Sequence, residues 1–115
     1  MKPGSRWKLD DYRGPQGARP VKAFLDGLSA PAKAKVYAAL GMLATEGNQL
    51  RLPRSRPLRG GLFEMRIAHD EGPFRIIYCF WPGRRIVLLH GFVKRTEQIP
   101  TQDLDLAAAR MARLS

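Results

Sequence analysis

Apolar and polar residues alternate in three stretches of the second half of the chain. Residues 62–68, 74–81 and 85–94 read as strands. The breaks between them, His69-Asp-Glu-Gly72 and Pro82-Gly83, are of hairpin length and predict an antiparallel meander. Upstream the period changes. Val21, Phe24, Leu25 and Leu28 follow helical spacing behind Pro20, which suits a first turn. Ser29 and Pro31 open a second helix, whose apolar stripe runs Val36, Tyr37, Leu40, Leu43, Ala44, and Glu46-Gly47-Asn48 closes it. Residues 6–13 form a first strand with imperfect alternation, and 49–61, rich in Arg, Pro and Gly, read as a loop. A last helix follows Pro100, capped by Thr101, with Leu104, Ala107, Ala108 and Met111 as its apolar face. The order β-α-α-β-β-β-α predicts a single α+β domain, an antiparallel sheet packed on an N-terminal helical hairpin with a C-terminal helix.

Strand parity turns this outline into chemistry. A four-residue turn at 69–72 sets Arg66 opposite Arg75, and a two-residue turn at Pro82-Gly83 sets Arg75 opposite His90. Lys94 lies further along the same face, with Ile77, Trp81, Leu88 and Phe92 as its apolar part. Two arginines directly opposed repel each other, and an anion between them relieves that repulsion.

Charge points the same way. The 115 residues carry a formal net charge of +10. Residues 51–95 hold ten Lys or Arg against Glu64, Asp70 and Glu71. That concentration favours a nucleic-acid partner over a membrane surface, since no basic amphipathic helix with exposed aromatics stands out. The single Cys79 lies in an apolar run and reads as a buried thiol. No stretch reaches the roughly 18 apolar residues of a membrane span, and no apolar region follows the N-terminal Lys2 and Arg6, so the expected location is cytoplasmic.

Three segments carry a family resemblance. Pro57-Leu-Arg-Gly-Gly-Leu-Phe-Glu-Met-Arg-Ile67, Phe74-Arg-Ile-Ile-Tyr78 and Leu89-His-Gly-Phe-Val-Lys-Arg-Thr96 resemble the phage-related, HigB-like branch of the RelE/ParE toxin superfamily, as does Arg19-Pro-Val-Lys-Ala-Phe-Leu-Asp-Gly-Leu28. The resemblance spans about residues 6 to 112. It implies a RelE-like fold and the toxin half of a type II toxin–antitoxin pair. Such a toxin cleaves mRNA on the ribosome and is neutralised by a small antitoxin, often of helix-turn-helix type. It also implies that Arg66 and Arg75 are the strand arginines of the site and Lys94 its end-of-strand lysine. Glu97 and Ile99 depart from the lysine-rich segment of relatives.

RNA cleavage that uses the 2′-hydroxyl needs no metal or cofactor, and the chain offers no H-x-x-x-H or carboxylate cluster. Arg66 and Arg75 form the expected phosphate clamp. His90 is the conventional acid or base and Lys94, its pKa lowered by the arginines, the rival base. Arg51, Arg54, Arg56, Arg59, Arg84, Arg85 and Arg95 are expected to contact RNA phosphates without reading sequence. Each has a plainer reading: solvent-facing charges for the arginines and Lys94, a packed strand residue for His90, an ion-paired acid for Glu64, core packing for Tyr78. Two other functions compete: a non-catalytic RNA- or ribosome-binding module using the same basic face and, as the resemblance also implies, a ParE-like topoisomerase inhibitor.

Overall fold

The meander forms where alternation predicts it. The structure, a computed structural model, describes residues 6–114. Its strands are β1 (Lys8–Asp11), β2 (Ser55–Pro57), β3 (Phe63–Ile67), β4 (Phe74–Trp81) and β5 (Arg85–Val93); its α-helices are α1 (Pro20–Asp26), α2 (Ala30–Glu46) and α3 (Thr101–Ala112). The sheet order is β1-β5-β4-β3-β2.

Three expectations about the elements change. The sheet is mixed, because β1 runs parallel to β5, with Lys8 against Arg85 and Asp10 against Val87. Ser55–Pro57, inside the expected loop, adds an edge strand to β3. Three residues between prolines have no readable period, and Pro57 is tolerated because an edge strand leaves one side unpaired. Thr101 is the first helical residue of α3 and caps nothing; Pro100 is the N-cap.

The helical hairpin follows its caps. Ser29 Oγ accepts from the Ala32 N–H at 3.3 Å, and its hydroxyl donates to Glu71 at 2.8 Å, tying α2 to the β3–β4 turn. Val36, Leu40, Leu43 and Ala44 are buried, whereas Tyr37 is half exposed. Gly47 ends α2 at φ +51°, and the Trp7 ring occupies the space a β-carbon there would need. Beneath the hairpin, Met65, Ile67, Phe74, Ile76, Tyr78, Ile86 and Leu88 form one apolar face of the sheet. Phe24 lies against Gly91, where a β-carbon would come within 2.6 Å of its ring.

The opposite face is divided. Ala107, Leu104, Ala108 and Met111 of α3 cover Ile77, Cys79, Val87 and Leu89. Toward one end of this face stand Arg66, Arg75 and Phe92, and toward the other Lys8, Arg85 and Trp81.

Turn length and a bulge decide which β5 side chains reach that face. The β4–β5 turn has three residues, Pro82, Gly83 and Arg84, with positive φ at Gly83 and Arg84. The odd loop sends Ile86 and Leu88 under the helical hairpin, so Leu88 is not on the basic face. A bulge at Leu89 then restores parity, pairing Ile77 with His90 and Arg75 with Phe92. The carbonyl of Leu89, the residue the register skips, accepts from Arg110 at 2.8 Å. Arg75 thus faces Phe92 rather than His90, yet His90 still emerges on the expected side.

Candidate nucleic-acid interface and cleavage site

Two rows of side chains cross the sheet at one end of the divided face. In the first, Arg56, Glu64, Ile77 and His90 are register partners on β2, β3, β4 and β5. In the second, Arg66, Arg75 and Phe92 are partners on β3, β4 and β5. Lys94 follows at the end of β5, its N–H donating to the Pro73 carbonyl at 2.8 Å and its ammonium to the Glu97 carbonyl at 2.7 Å.

Glu64 organises the corner. Its carboxylate is fully buried, accepts from Arg56 Nε at 2.6 Å, and lies 3.3 Å from Arg75 Nε. The second contact is an ion pair without hydrogen-bond alignment. A buried carboxylate is stable only with such partners. Arg75 is itself buried and also donates to the Phe74 carbonyl at 3.1 Å. Burial lowers its pKa; the charge of Glu64 works against that shift, and those of Arg66 and Arg56 add to it. Arg66, facing Arg75, remains partly exposed.

Lys94 feels the same field. Burial lowers its pKa first, then the charge of Arg75, with Arg56 and Arg66 adding and Glu64 opposing. The corner therefore joins two register-paired arginines to a lysine whose neutral form is favoured beyond the ordinary.

His90 is held differently. Its Nε2 lies 2.6 Å from Asp103 Oδ1 in the first turn of α3, and its ring stacks on Phe92 with centroids 5.3 Å apart. Both partners of the His90–Asp103 pair are largely buried. Asp103 was legible only as a favourable charge at a helix start, because nothing in the sequence says that this start folds onto β5.

The surrounding arginines do not make one surface. Arg56, expected in a loop, is a strand residue spent largely on Glu64. Arg54 adjoins Arg66, whose N–H donates to its carbonyl at 2.8 Å, and Arg95 is exposed beside Lys94. Arg51 bends back to the Asn48 carbonyl at 2.7 Å and lines a cavity of about 460 Å³ with Phe63, Tyr78 and Phe80, on the hairpin side of the sheet. There the Tyr78 hydroxyl pairs with Ser55 Oγ at 2.5 Å in the interior, as a core residue. Arg59 pairs with Asp105 of α3 at 3.0 Å. Arg84 and Arg85 lie at the other end of β5: Arg84 covers the Trp7 ring at 4.6 Å, and Arg85 donates to the Pro82 carbonyl at 3.2 Å.

Among the described residues, no group of three or more His, Cys, Asp or Glu is placed to hold a metal ion, and no helix is long and apolar enough to cross a membrane.

Fold and corner together define a small, strongly basic α+β protein with two arginines opposed in register on its sheet, Arg75 buried against Glu64 and Arg66 partly exposed. Residues 23–112 match the family model described as phage derived protein Gp49-like (DUF891), and the chain belongs to that family. The family lies in the RelE/HigB-like toxin group and is associated with the toxins of toxin–antitoxin pairs, which fits a protein with an antitoxin partner. No curated protein matches the chain.

Proposed function

We propose that this protein is a toxin that cleaves mRNA on the ribosome by a metal-independent route. The observation that carries the reading is the opposed pair Arg66–Arg75 beside Lys94, in a corner where burial favours the neutral amine. Arg66 and Arg75 hold the scissile phosphate, and their charge stabilises the phosphorane. Neutral Lys94 takes the proton of the 2′-hydroxyl. The 2′-oxygen bonds to phosphorus, the bond from phosphorus to the 5′-oxygen breaks, and that oxygen takes a proton from solvent. The products are a 2′,3′-cyclic phosphate and a 5′-hydroxyl. His90, its Nε2 engaged by Asp103, serves here to fix the start of α3 and the ring of Phe92 rather than to shuttle protons. Phe92, facing Arg75, offers a surface on which an unpaired base can stack.

The test is induction of the chain in cells with mapping of message 5′ ends. Codon-phased cuts that vanish in Lys94→Ala and Arg66→Ala support the reading. Growth arrest with intact messages sinks it. The engagement of Arg75 and His90 by internal acids favours one rival, a protein that grips RNA at this corner without cutting it. In that case affinity and growth arrest fall together in Lys94→Ala, with no cuts in either chain.

A further inference from the structure

A second like-charged pair stands at the far end of the same face. Lys8 of β1 is the register partner of Arg85, and Arg85 is the partner of Trp81 on β4. This row repeats the order of the first corner, two opposed bases followed by an aromatic ring. It lies roughly 20 Å away along the strands, six residues from Arg75 to Trp81. Around it, Arg13 and Arg113 join Lys8, Arg85 and Trp81 in lining a cavity of about 410 Å³.

Two acids share this cavity, Asp10 and Asp11. Asp11 is bound by Arg19 through two contacts of 2.8 and 3.0 Å, and these hold its carboxyl below the usual range. Asp10 lies 3.7 Å from Arg85. The neutraliser of Asp11 comes from outside the cavity, so the lining keeps a positive excess. The C-terminal end of α3 borders the cavity through Arg113 and Leu114; a helix C-terminus is unfavourable for an anion, and the C-cap Arg113 counters that with its charge.

We propose that this far end is a second binding site for single-stranded RNA. Lys8, Arg13, Arg85 and Arg113 neutralise phosphates, and the partly exposed Trp81 stacks on an unpaired base. The proposal rests on the toxin reading only for its choice of RNA as ligand. An acidic polypeptide would satisfy the bases but has no regular use for the indole face, whereas every nucleobase has a π-face to offer it. A strand bound at both ends would cross α3, with its scissile phosphate at Arg66 and Arg75 and a stretch several nucleotides distant at Trp81.

The chain has two tryptophans, so Trp7→Phe isolates Trp81 as the fluorophore. Adding Lys94→Ala removes cleavage, and the protein is titrated with a short unstructured oligouridylate. Quenching of Trp81 is expected, weakened about tenfold or more by Arg13→Glu with Arg113→Glu, and with a salt slope shallower by about 1.4 for the two lost phosphate contacts. Both arginines are exposed, and circular dichroism verifies that the fold is kept. Absent quenching, or quenching indifferent to the double substitution, overturns the proposal. So does polyglutamate quenching as strongly as RNA, which marks the site as a protein-docking surface. If quenching behaves as expected while the Lys94 chain cuts no message, the far site stands and the nuclease reading falls.

Discussion

Two ends of one sheet face carry the same motif in different surroundings. At one, Arg66 opposes Arg75 with Phe92 next in the row; at the other, Lys8 opposes Arg85 with Trp81 next. Glu64 lies fully buried behind the first pair, and burial has shifted both Arg75 and Lys94. The second pair is more open, and its nearest acid, Asp10, is at 3.7 Å. Charge alone suffices to attract a phosphate. Changing the proton affinity of a neighbour takes burial as well, because low local dielectric is what makes one charge felt by the next. On the proposed function, chemistry belongs to the first end and grip to the second.

The largest effect tests that assignment directly. Lys94→Ala should lower single-turnover cleavage by about 10²–10⁴-fold, the usual share of a proton-transfer group. Arg13→Glu with Arg113→Glu should act on apparent affinity and spare the rate at saturating RNA. Equal losses of rate at both ends would erase the distinction.

Stability provides the next contrast. Glu64→Ala leaves Arg75 buried beside no counter-charge and should cost about 3–5 kcal/mol in urea denaturation. Asp10→Ala, at a more open pair, should cost no more than about 1 kcal/mol. Similar values would mean that the two ends do not differ in burial as described.

The pH profile gives a subtler reading. If neutral Lys94 is the base, cleavage should rise with pH and reach half its maximum below the ordinary lysine value of 10.5. Arg66→Gln removes a charge that depresses this value, so the half-point of its residual activity should move up. The sign for stability is opposite to that of a salt bridge. A lysine depressed in the fold destabilises it while protonated: the penalty is full below the folded value and lifts as pH rises from there to the ordinary 10.5. Lys94→Met should therefore slightly stabilise the protein at neutral pH, measured by thermal unfolding, as it disables the chemistry. A half-point unaffected by Arg66→Gln would argue against Lys94 as the base.

The smallest effect is an absence of reaction. Cys79 lies between the two ends beneath α3, and burial pushes its thiol up to about 11. Thiol reagents should modify it only when the protein unfolds. Rapid modification of the native protein would show that α3 lifts readily, and the spacing between the two ends would then not be fixed.

Much of this was legible from pattern. The helices, the meander and the pairing of Arg66 with Arg75 follow from periodicity and an even turn. The placing of His90 is more instructive. The two-residue turn predicted for Pro82-Gly83 is in fact three residues long, which reverses parity for Ile86–Leu88, and the bulge at Leu89 reverses it back. His90 therefore reached the expected face through two offsetting departures, while Leu88 did not. Neither could be read locally, because Arg84 in a left-handed turn and a skipped residue leave no mark in the alternation. The strand at Ser55–Pro57 was missed for a related reason: it is shorter than any period.

From its residues alone, the chain specified an α+β outline, a strong basic excess and a candidate pair of strand arginines, since these depend on local propensity, charge and the two-residue pleat. Tertiary structure decided which charges keep company. It set Glu64 between Arg56 and Arg75, set Asp103 against His90, and sent Arg84 and Arg85 to the opposite end from Arg66. Those partnerships join residues distant in sequence through the docking of α3, the edge strand and the parallel β1, and the electrostatic field at a side chain depends on distance and burial in space, which alternation along the chain does not encode.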